Sequence, residues 1–253
     1  MKSLPRAILF DMDDTILAAF GQAQDQWRRV IAAFIEQLAP HPPDEVVAAI
    51  QAYSRHLWSD ANRHKDWRPR IGAARRHIVA RAFAGLAGAA GRPVPASEVC
   101  EAIADRFNEI HEAELRMFPG AHETLDRLKQ LGVRLALVTN GAAEPQRAKV
   151  IRFALEERFD HIQIEGEHGF GKPEVRAYTH AMEALGVAPQ ETWMVATISN
   201  GRSPRRSGSA SMRSGTTAIP PGSRPAVRSG PTGSSGLCPS CYGSAHCARC
   251  SPI

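Results

Sequence analysis

Residues 196–253 contain no Asp, no Glu and no Lys, although they carry seven Arg. The whole chain has 31 basic and 26 acidic residues. Residues 1–195 therefore contain 24 basic and 26 acidic residues, a net charge of −2. The net charge of +5 therefore belongs to the C-terminal segment and is no evidence for a nucleic-acid-binding body. We expect no nucleic-acid partner.

The chain also lacks a long apolar run. Ala7–Phe10 is short and is followed directly by acids, so it is neither a membrane span nor a signal peptide. Cysteine is also scarce outside the last sixteen residues. Those residues contain four cysteines, and only Cys100 precedes them. We expect a cytoplasmic protein with no membrane partner, whose main fold does not depend on disulfides.

Apolar residues follow two different spacing patterns in the first half of the chain. Arg6–Phe10 is a short apolar run that ends at Asp residues, which is typical of a buried parallel strand. Residues 18–117 show helical spacing with Gly and Pro between the segments, which predicts a helical insertion. The clearest predicted helices are Gln22–Leu38, Ile71–Leu86 and Ser97–Leu115.

From Pro119 onward the pattern alternates between helix and strand. The predicted strands are Val133–Thr139, Ile162–Ile164 and Thr192–Val195, and the predicted helices are Ala121–Leu131, Pro145–Phe153 and Pro173–Leu185. This alternation predicts an α/β fold with a Rossmann-like, doubly wound parallel sheet, which binds ligands beyond the carboxyl ends of its strands. We predict a core of residues 1–17 and 118–195, with residues 18–117 inserted as a helical cap.

The periodicity stops at Ala196. Residues 196–253 are rich in Ser, Gly, Pro and Arg and follow neither a helical nor a strand period. Such a composition cannot bury enough apolar surface to offset the entropy of folding. We expect this segment to be disordered.

A cluster of acids follows the first predicted strand. Asp11, Asp13 and Asp14 come directly after Phe10. A carboxylate at a strand end can attack phosphorus, and a second carboxylate two residues later can protonate the leaving oxygen. The alternative is a helix N-cap with acids in its first turn, and this motif alone does not decide between the two.

Two further motifs follow later strands. The Thr139 hydroxyl and the backbone N–H groups of Asn140 and Gly141 can donate hydrogen bonds to a phosphoryl oxygen, although an ordinary Asn-Gly turn is the simpler interpretation. Lys172 lies in the Gly-rich segment Gly169–Pro173, where it can neutralise a carboxylate and a phosphate. The spacing is not that of a P-loop, and a solvated loop lysine is the alternative.

Taken together, and in this order, the three motifs resemble the first three signature motifs of the haloacid dehalogenase superfamily. The resemblance covers Ala7–Val195. It implies that Asp11 is the nucleophile, that Asp13 is the general acid and base, and that Lys172 stabilises charge on Asp11 and the substrate. An acid at the position of Asp13 implies the phosphatase branch, and a 2-haloacid dehalogenase is the alternative enzyme.

The resemblance also bears on the substrate. It implies that Thr139, Asn140 and Gly141 bind the phosphoryl group and that the helical cap selects a small phosphorylated metabolite. The continuation through Gln146 and Lys149 resembles members that hydrolyse sugar or nucleoside monophosphates.

Members of this superfamily hold Mg²⁺ with the nucleophile, the second Asp and acids of a fourth motif. The resemblance therefore implies that Asp11 and Asp13 are metal ligands, since Mg²⁺ prefers oxygen donors. The fourth motif should follow Val195 as Gly-Asp, but Ala196 and Thr197 stand there. The Mg²⁺ site is thus incomplete in this chain.

A shifted reading frame explains the missing motif. One codon string for Ala196–Gly201, read with one additional G ahead of it, encodes Gly-Asp-Asn-Leu-Glu-Trp. A tail rich in Arg, Gly, Pro and Ser but without acids is also what a GC-rich gene yields out of frame. We infer a frameshift near codon 196.

The main hypothesis is a phosphatase that has lost its last metal-binding motif, and the second is a non-catalytic remnant of the fold. A third is a nucleic-acid or zinc module in the tail, suggested by two pairs of cysteines, Cys238 with Cys241 and Cys247 with Cys250. The spacing between these pairs is far shorter than in a four-cysteine zinc ribbon, so we expect no zinc there. The oligomeric state is not predicted.

Overall fold

A five-stranded sheet forms the centre of the protein, which a computed structural model describes over residues 4–19, 21–197 and 248–252. The strands are β1 (Ala7–Phe10), β2 (Leu17–Ala18), β3 (Arg116–Met117), β4 (Arg134–Thr139), β5 (His161–Ile164), β6 (Thr192–Thr197) and β7 (Ala248–Pro252). The sheet has the order β5-β4-β1-β6-β7, and its first four strands are parallel. The predicted parallel, doubly wound sheet is confirmed.

Helices cover both faces of this sheet. The helices that follow β3 are α6 (Ala121–Gln130), α7 (Ala143–Arg152), α8 (Glu165–His168) and α9 (Val175–Leu185). Because successive side chains of a strand point to opposite faces, Ile8 and Phe10 of β1 join the apolar cluster that contains Leu125 of α6. Ala7 and Leu9 instead join the cluster under α9.

Five helices between β2 and β3 form a separate packed unit. They are α1 (Ala23–Ala33), α2 (Pro43–Trp58), α3 (Ala61–Trp67), α4 (Ile71–Ala90) and α5 (Ser97–Glu114). This helical unit has its own apolar core, in which Phe83 and Ile103 are fully buried. No helix among the described residues is long and apolar enough to cross a membrane.

The two chain segments that enter and leave the helical unit pair with each other. Leu17 lies opposite Met117 and Ala18 opposite Arg116, in a two-stranded antiparallel sheet. We predicted no strand within residues 18–117, and this was wrong at both ends. Two residues are too few to show the alternation by which a strand is recognised.

The end of the predicted core also differs from the expectation. Strand β6 continues through Ala196 and Thr197. All five residues of β7 pair antiparallel with β6. The expected lack of regular structure therefore does not hold for these two residues or for Ala248–Pro252, because the open edge of β6 offers backbone groups to any extended segment. The expectation for residues 198–247 and Ile253 lies outside the described residues.

The separate core of the helical unit predicts where the fold is sensitive to truncation. Phe83→Ala should lower the free energy of unfolding by about 3–5 kcal/mol, because it leaves a cavity around a fully buried ring. Ile151→Ala, at a side chain that is 61% exposed, should change it by less than about 0.5 kcal/mol. Urea denaturation followed by circular dichroism measures both, and equal effects would contradict the assigned core.

Candidate active site

Asp11 and Lys172 form an ion pair at the carboxyl edge of the parallel strands. Asp11 follows β1, and its backbone N–H donates to Val195 O in β6. Lys172 Nζ donates to Asp11 Oδ1 over 2.6 Å and to Val138 O over 2.6 Å. The Asp11 and Lys172 side chains are 24% and 14% exposed, so the pair is largely shielded from water. This places a cation against the predicted nucleophile.

Asn140 fixes the backbone that carries Lys172. Its Oδ1 accepts from Lys172 N over 2.8 Å, and its Nδ2 donates to Lys172 O over 2.7 Å. The preceding Gly171 allows this approach, because a Cβ there would lie 2.7 Å from Asn140 Oδ1 and 2.8 Å from Glu165 Cδ. The Asn140 side chain, directly after β4, thus holds Lys172 by both of its backbone polar groups.

Asp13 lies in a second ion pair beside the first. Lys149 Nζ of α7 donates to its Oδ1 over 3.0 Å and to its Oδ2 over 3.2 Å, and Gln146 Nε2 donates to Oδ2 over 3.1 Å. Burial raises the pKa of Asp13, but the Lys149 charge and the hydrogen bonds from Gln146 and Lys149 outweigh it, so the pKa lies below its usual value. Asp13 is therefore a carboxylate at neutral pH.

Thr139 ends β4 between these two pairs. Its Oγ1 accepts from Gln146 Nε2 over 3.0 Å, which leaves the hydroxyl hydrogen to donate. Gln146 Nε2 also lies 2.6 Å from Asn140 O. The Gly141 N–H, which we predicted to bind phosphate, instead donates to Glu165 Oε2 over 3.0 Å. Gly141 adopts a φ of +119°, a conformation that favours glycine.

One buried ion pair links the helical unit to the Lys172 loop. Arg68, directly after α3, donates from both Nε and Nη2 to Glu165 Oε1, and the two side chains are 8% and 12% exposed. Its Nη1 donates to Lys172 O over 3.1 Å. The helical unit therefore contacts the active-site loop through a guanidinium group.

Buried polar side chains of α4 and α5 lie near Asp13. Arg75 donates to Asn108 Oδ1 over 2.6 Å, and within the described parts of the chain it forms no ion pair. Burial lowers the pKa of Arg75 to about 10, opposed by the charges of Glu112 and Asp13. Burial together with the charges of Arg75 and Lys149 lowers the pKa of His111 to about 3. The helical unit thus presents positive charge toward Asp13.

The carboxyl end of β6 offers no acid to a metal. Thr197 N donates to Thr15 Oγ1 over 2.9 Å, and Thr197 Oγ1 donates to Asp14 O. Asp13 is occupied by Lys149, and in the described residues the only group of three or more His, Cys, Asp or Glu ligands lies elsewhere. The donors at Asp11 and Asp13 therefore do not fit a complete Mg²⁺ shell.

The structure brings together four of the residues to which the resemblance assigns roles, Asp11, Asp13, Thr139 and Lys172. Their chemical roles remain predictions. Asn140 and Gly141 are present at the same edge, but the Asn140 side chain contacts Lys172 and the Gly141 N–H contacts Glu165. Arg68, Glu165 and Arg75 were not predicted, since nothing in their local sequence marks them as partners of a distant loop.

Known proteins with similar sequences and structures point to one family. Residues 5–196 match the model of the haloacid dehalogenase-like hydrolase family. The chain is 28% identical over 189 residues to a glyceraldehyde 3-phosphate phosphatase of Methanopyrus kandleri, covering 74% of this chain and 72% of the relative. It is 39% identical over 110 residues to a phosphoserine phosphatase of Thermus thermophilus, covering 44% of this chain and only 42% of the relative.

The fold has a counterpart among solved structures. The HAD-hydrolase YfnB of Bacillus subtilis, solved with magnesium bound, aligns with a TM-score of 0.51 and 25% identity. The alignment covers 75% of this chain and 77% of that one. The sheet and the inserted helices therefore occur together in a hydrolase of this kind.

The Asp13–Lys149 pair predicts a pH-dependent effect on stability. Because the folded pKa of Asp13 is lowered, its stabilisation is present above the unfolded pKa and is lost as the pH falls through the folded pKa. Lys149→Met should therefore destabilise by on the order of 1–3 kcal/mol at neutral pH, and by less in acid. Lys65→Met, which breaks the exposed pair with Glu174, should cost less than about 1 kcal/mol. A Lys149→Met effect that is independent of pH in urea denaturation would contradict the assignment.

Proposed function

Because the chain belongs to the haloacid dehalogenase-like hydrolase family, we propose that it is a phosphomonoester phosphatase in which Asp11 is the nucleophile. The observation that carries the proposal is the 2.6 Å contact between Lys172 Nζ and Asp11 Oδ1 at the carboxyl edge of the sheet. The substrate is a small phosphorylated metabolite, a sugar or nucleoside monophosphate by the Gln146 and Lys149 pattern. Relatives named for glyceraldehyde 3-phosphate and phosphoserine support the same size class.

The first step is transfer of the phosphoryl group to Asp11. Lys172 and the Met12 N–H both donate to Oδ1, whereas no hydrogen bond from the described residues reaches Oδ2. Oδ2 therefore attacks phosphorus, the ester P–O bond breaks, and the leaving oxygen takes the proton of a protonated Asp13 to become an alcohol. Lys172 and the Thr139 hydroxyl stabilise the equatorial oxygens, since phosphoryl transfer depends on charge stabilisation more than on covalent chemistry.

The second step returns Asp11 to its carboxylate. Asp13 removes a proton from water, the water oxygen attacks phosphorus, and the P–O bond to Asp11 breaks to release inorganic phosphate. The lowered pKa keeps Asp13 ionised, so it can accept this proton, and separation from Lys149 would make it a stronger base. To donate a proton in the first step, Asp13 must first separate from Lys149 and take up a proton, because that pair favours the ionised form.

The chain supplies only part of the set of ligands that Mg²⁺ needs in this chemistry. If Mg²⁺ binds, Asp11 and the Asp13 backbone carbonyl would hold it, and it would neutralise phosphoryl charge. Thr197 supplies no carboxylate at the position where the resemblance implies an Asp. We therefore propose that metal affinity is weak in this chain and that a frameshift near codon 196 is the cause.

The helical unit serves as the cap that selects the substrate. Arg75 is 8% exposed, forms no ion pair within the described residues and interacts electrostatically with Asp13. A buried cation of this kind is stabilised by an anion, so we propose that it binds a second acidic group of the substrate. Arg68 holds the same unit against the Lys172 loop.

Two alternatives remain within the same fold. A 2-haloacid dehalogenase has no leaving alcohol to protonate and needs no acid at the position of Asp13. The presence of Asp13 therefore disfavours this alternative. A non-catalytic remnant is favoured by one observation, the missing acid at the end of β6. Hydrolysis of an aryl phosphate separates the remnant from the phosphatase.

The missing acid predicts weak activity that one substitution should raise. The chain should show little Mg²⁺-dependent phosphatase activity, on the order of a thousandfold below a complete site, since several kcal/mol of charge stabilisation are absent. Thr197→Asp should raise both the Mg²⁺ affinity and kcat, measured by phosphate release at varied Mg²⁺ concentration. Asp11→Asn in the same chain should abolish the gain.

The matched control is Thr197→Asn, which has the same shape as Asp but no charge. It should leave the activity at the level of the parent chain. A parent chain that is as fast as Thr197→Asp, or an equal gain with Thr197→Asn, would contradict the metal argument.

The Arg75 proposal predicts a change in substrate preference. Arg75→Met should raise KM about ten- to a hundredfold for phosphomonoesters that carry a carboxylate or a second phosphate, and far less for neutral aryl phosphates. Arg76→Met, at the neighbouring exposed side chain that pairs with Asp105, should leave both KM values unchanged. Equal effects of Arg75→Met on both substrate classes would remove Arg75 from substrate binding.

A further inference from the structure

Three histidines that take no part in the proposed reaction converge under α9. His161 begins β5, His168 ends α8, and His180 lies in α9. One ring nitrogen of each lies within 4.8 Å of those of the other two. His161 and Gln163 lie on the same face of β5, which is the edge strand of the sheet.

Hydrogen bonds fix the orientation of two of the rings. His180 Nδ1 lies 2.9 Å from Gln163 Oε1, and Gln163 Nε2 donates to Ala177 O over 2.9 Å, so the amide oxygen must be the group that faces His180. His168 Nδ1 lies 3.1 Å from Ile164 O, which can only accept. Both Nδ1 atoms therefore donate, and in the neutral rings each Nε2 keeps a lone pair. Metal-bound histidines typically have this arrangement, with the second ring nitrogen held by an oxygen acceptor.

The third ring has a nitrogen without a partner. His161 Nε2 is buried and makes no hydrogen bond within the described residues. An unsatisfied buried polar atom is unfavourable, so a ligand that occupied it would stabilise the fold.

We propose that His161, His168 and His180 form a binding site for one divalent transition-metal ion of the Zn²⁺ class. Imidazole nitrogens suit Zn²⁺, Ni²⁺ or Cu²⁺, whereas Mg²⁺ and Ca²⁺ require oxygen ligands that this group does not contain. Zn–N bonds of about 2.0–2.1 Å imply ligand atoms roughly 3.3 Å apart in a tetrahedron, so ring nitrogens that lie up to 4.8 Å apart would approach by up to about 1.5 Å. Water completes the coordination.

The ion would tie together the elements around the active-site loop. Gly169–Pro173, which carries Lys172, lies between His168 and His180 in the chain. A metal that joins β5, α8 and α9 would restrict this loop without contacting Asp11. Its role is therefore structural, and metal binding should raise the thermal stability of the protein.

The test is titration of the full chain with Zn²⁺ alone, in competition with a chromophoric chelator. The expected result is one Zn²⁺ bound per chain by the histidines, with a higher Tm in its presence. His168→Asn and His180→Asn keep a donor near the Nδ1 position but remove Nε2, and each should weaken binding at least about tenfold. His122→Gln, which keeps the donor to Phe153 O elsewhere in the core, should leave binding unchanged.

The cysteines of the C-terminal segment require a separate variant. A chain with Cys238, Cys241, Cys247 and Cys250 all replaced by Ser should retain the histidine-dependent Zn²⁺. The proposal is overturned if His180→Asn binds as tightly as the parent, if binding disappears only in the Cys→Ser chain, or if the parent binds no Zn²⁺ below millimolar concentration.

Discussion

The ion pair between Lys172 and Asp11 is the interaction on which the active site depends. A buried carboxylate is unfavourable unless a cation compensates it, and the loop that brings Lys172 there comes from a distant part of the chain. Asn140 holds both backbone polar groups of Lys172, and Arg68 donates to its carbonyl. Sheet, loop and helical unit therefore meet at one residue, and a shift in any of them would move the cation away from the proposed nucleophile.

The second pair, between Asp13 and Lys149, gives the two acids different properties. Asp13 is held ionised by Lys149 and Gln146, whereas Asp11 keeps one carboxylate oxygen without a described hydrogen bond. In the proposed mechanism one acid accepts a proton and the other attacks. The end of β6, where Thr197 contacts Thr15 and Asp14, lacks the negative charge that would complete this set.

The sequence predicted the parts of this site that depend on periodicity and strand ends. Apolar runs placed Asp11 directly after one parallel strand and Thr139 at the end of another, and the carboxyl ends of such strands share one edge. The partners Arg68 and Glu165 were not predictable, because a single Arg or Glu on a helical pattern is ordinarily a solvated side chain. The pairing of Ala248–Pro252 with β6 was also missed, since backbone pairing requires no side-chain pattern that a sequence displays.

The central claim is that Asp11 is phosphorylated during turnover while Lys172 compensates its charge. The most direct measurement is rapid quenching of the Thr197→Asp chain with a phosphomonoester, followed by hydroxylamine treatment and peptide mass spectrometry. The account predicts a hydroxamate at Asp11 and none in the Lys172→Met chain, where the carboxylate loses its counter-charge. A modification at another residue, or turnover without any modification at Asp11, would contradict it.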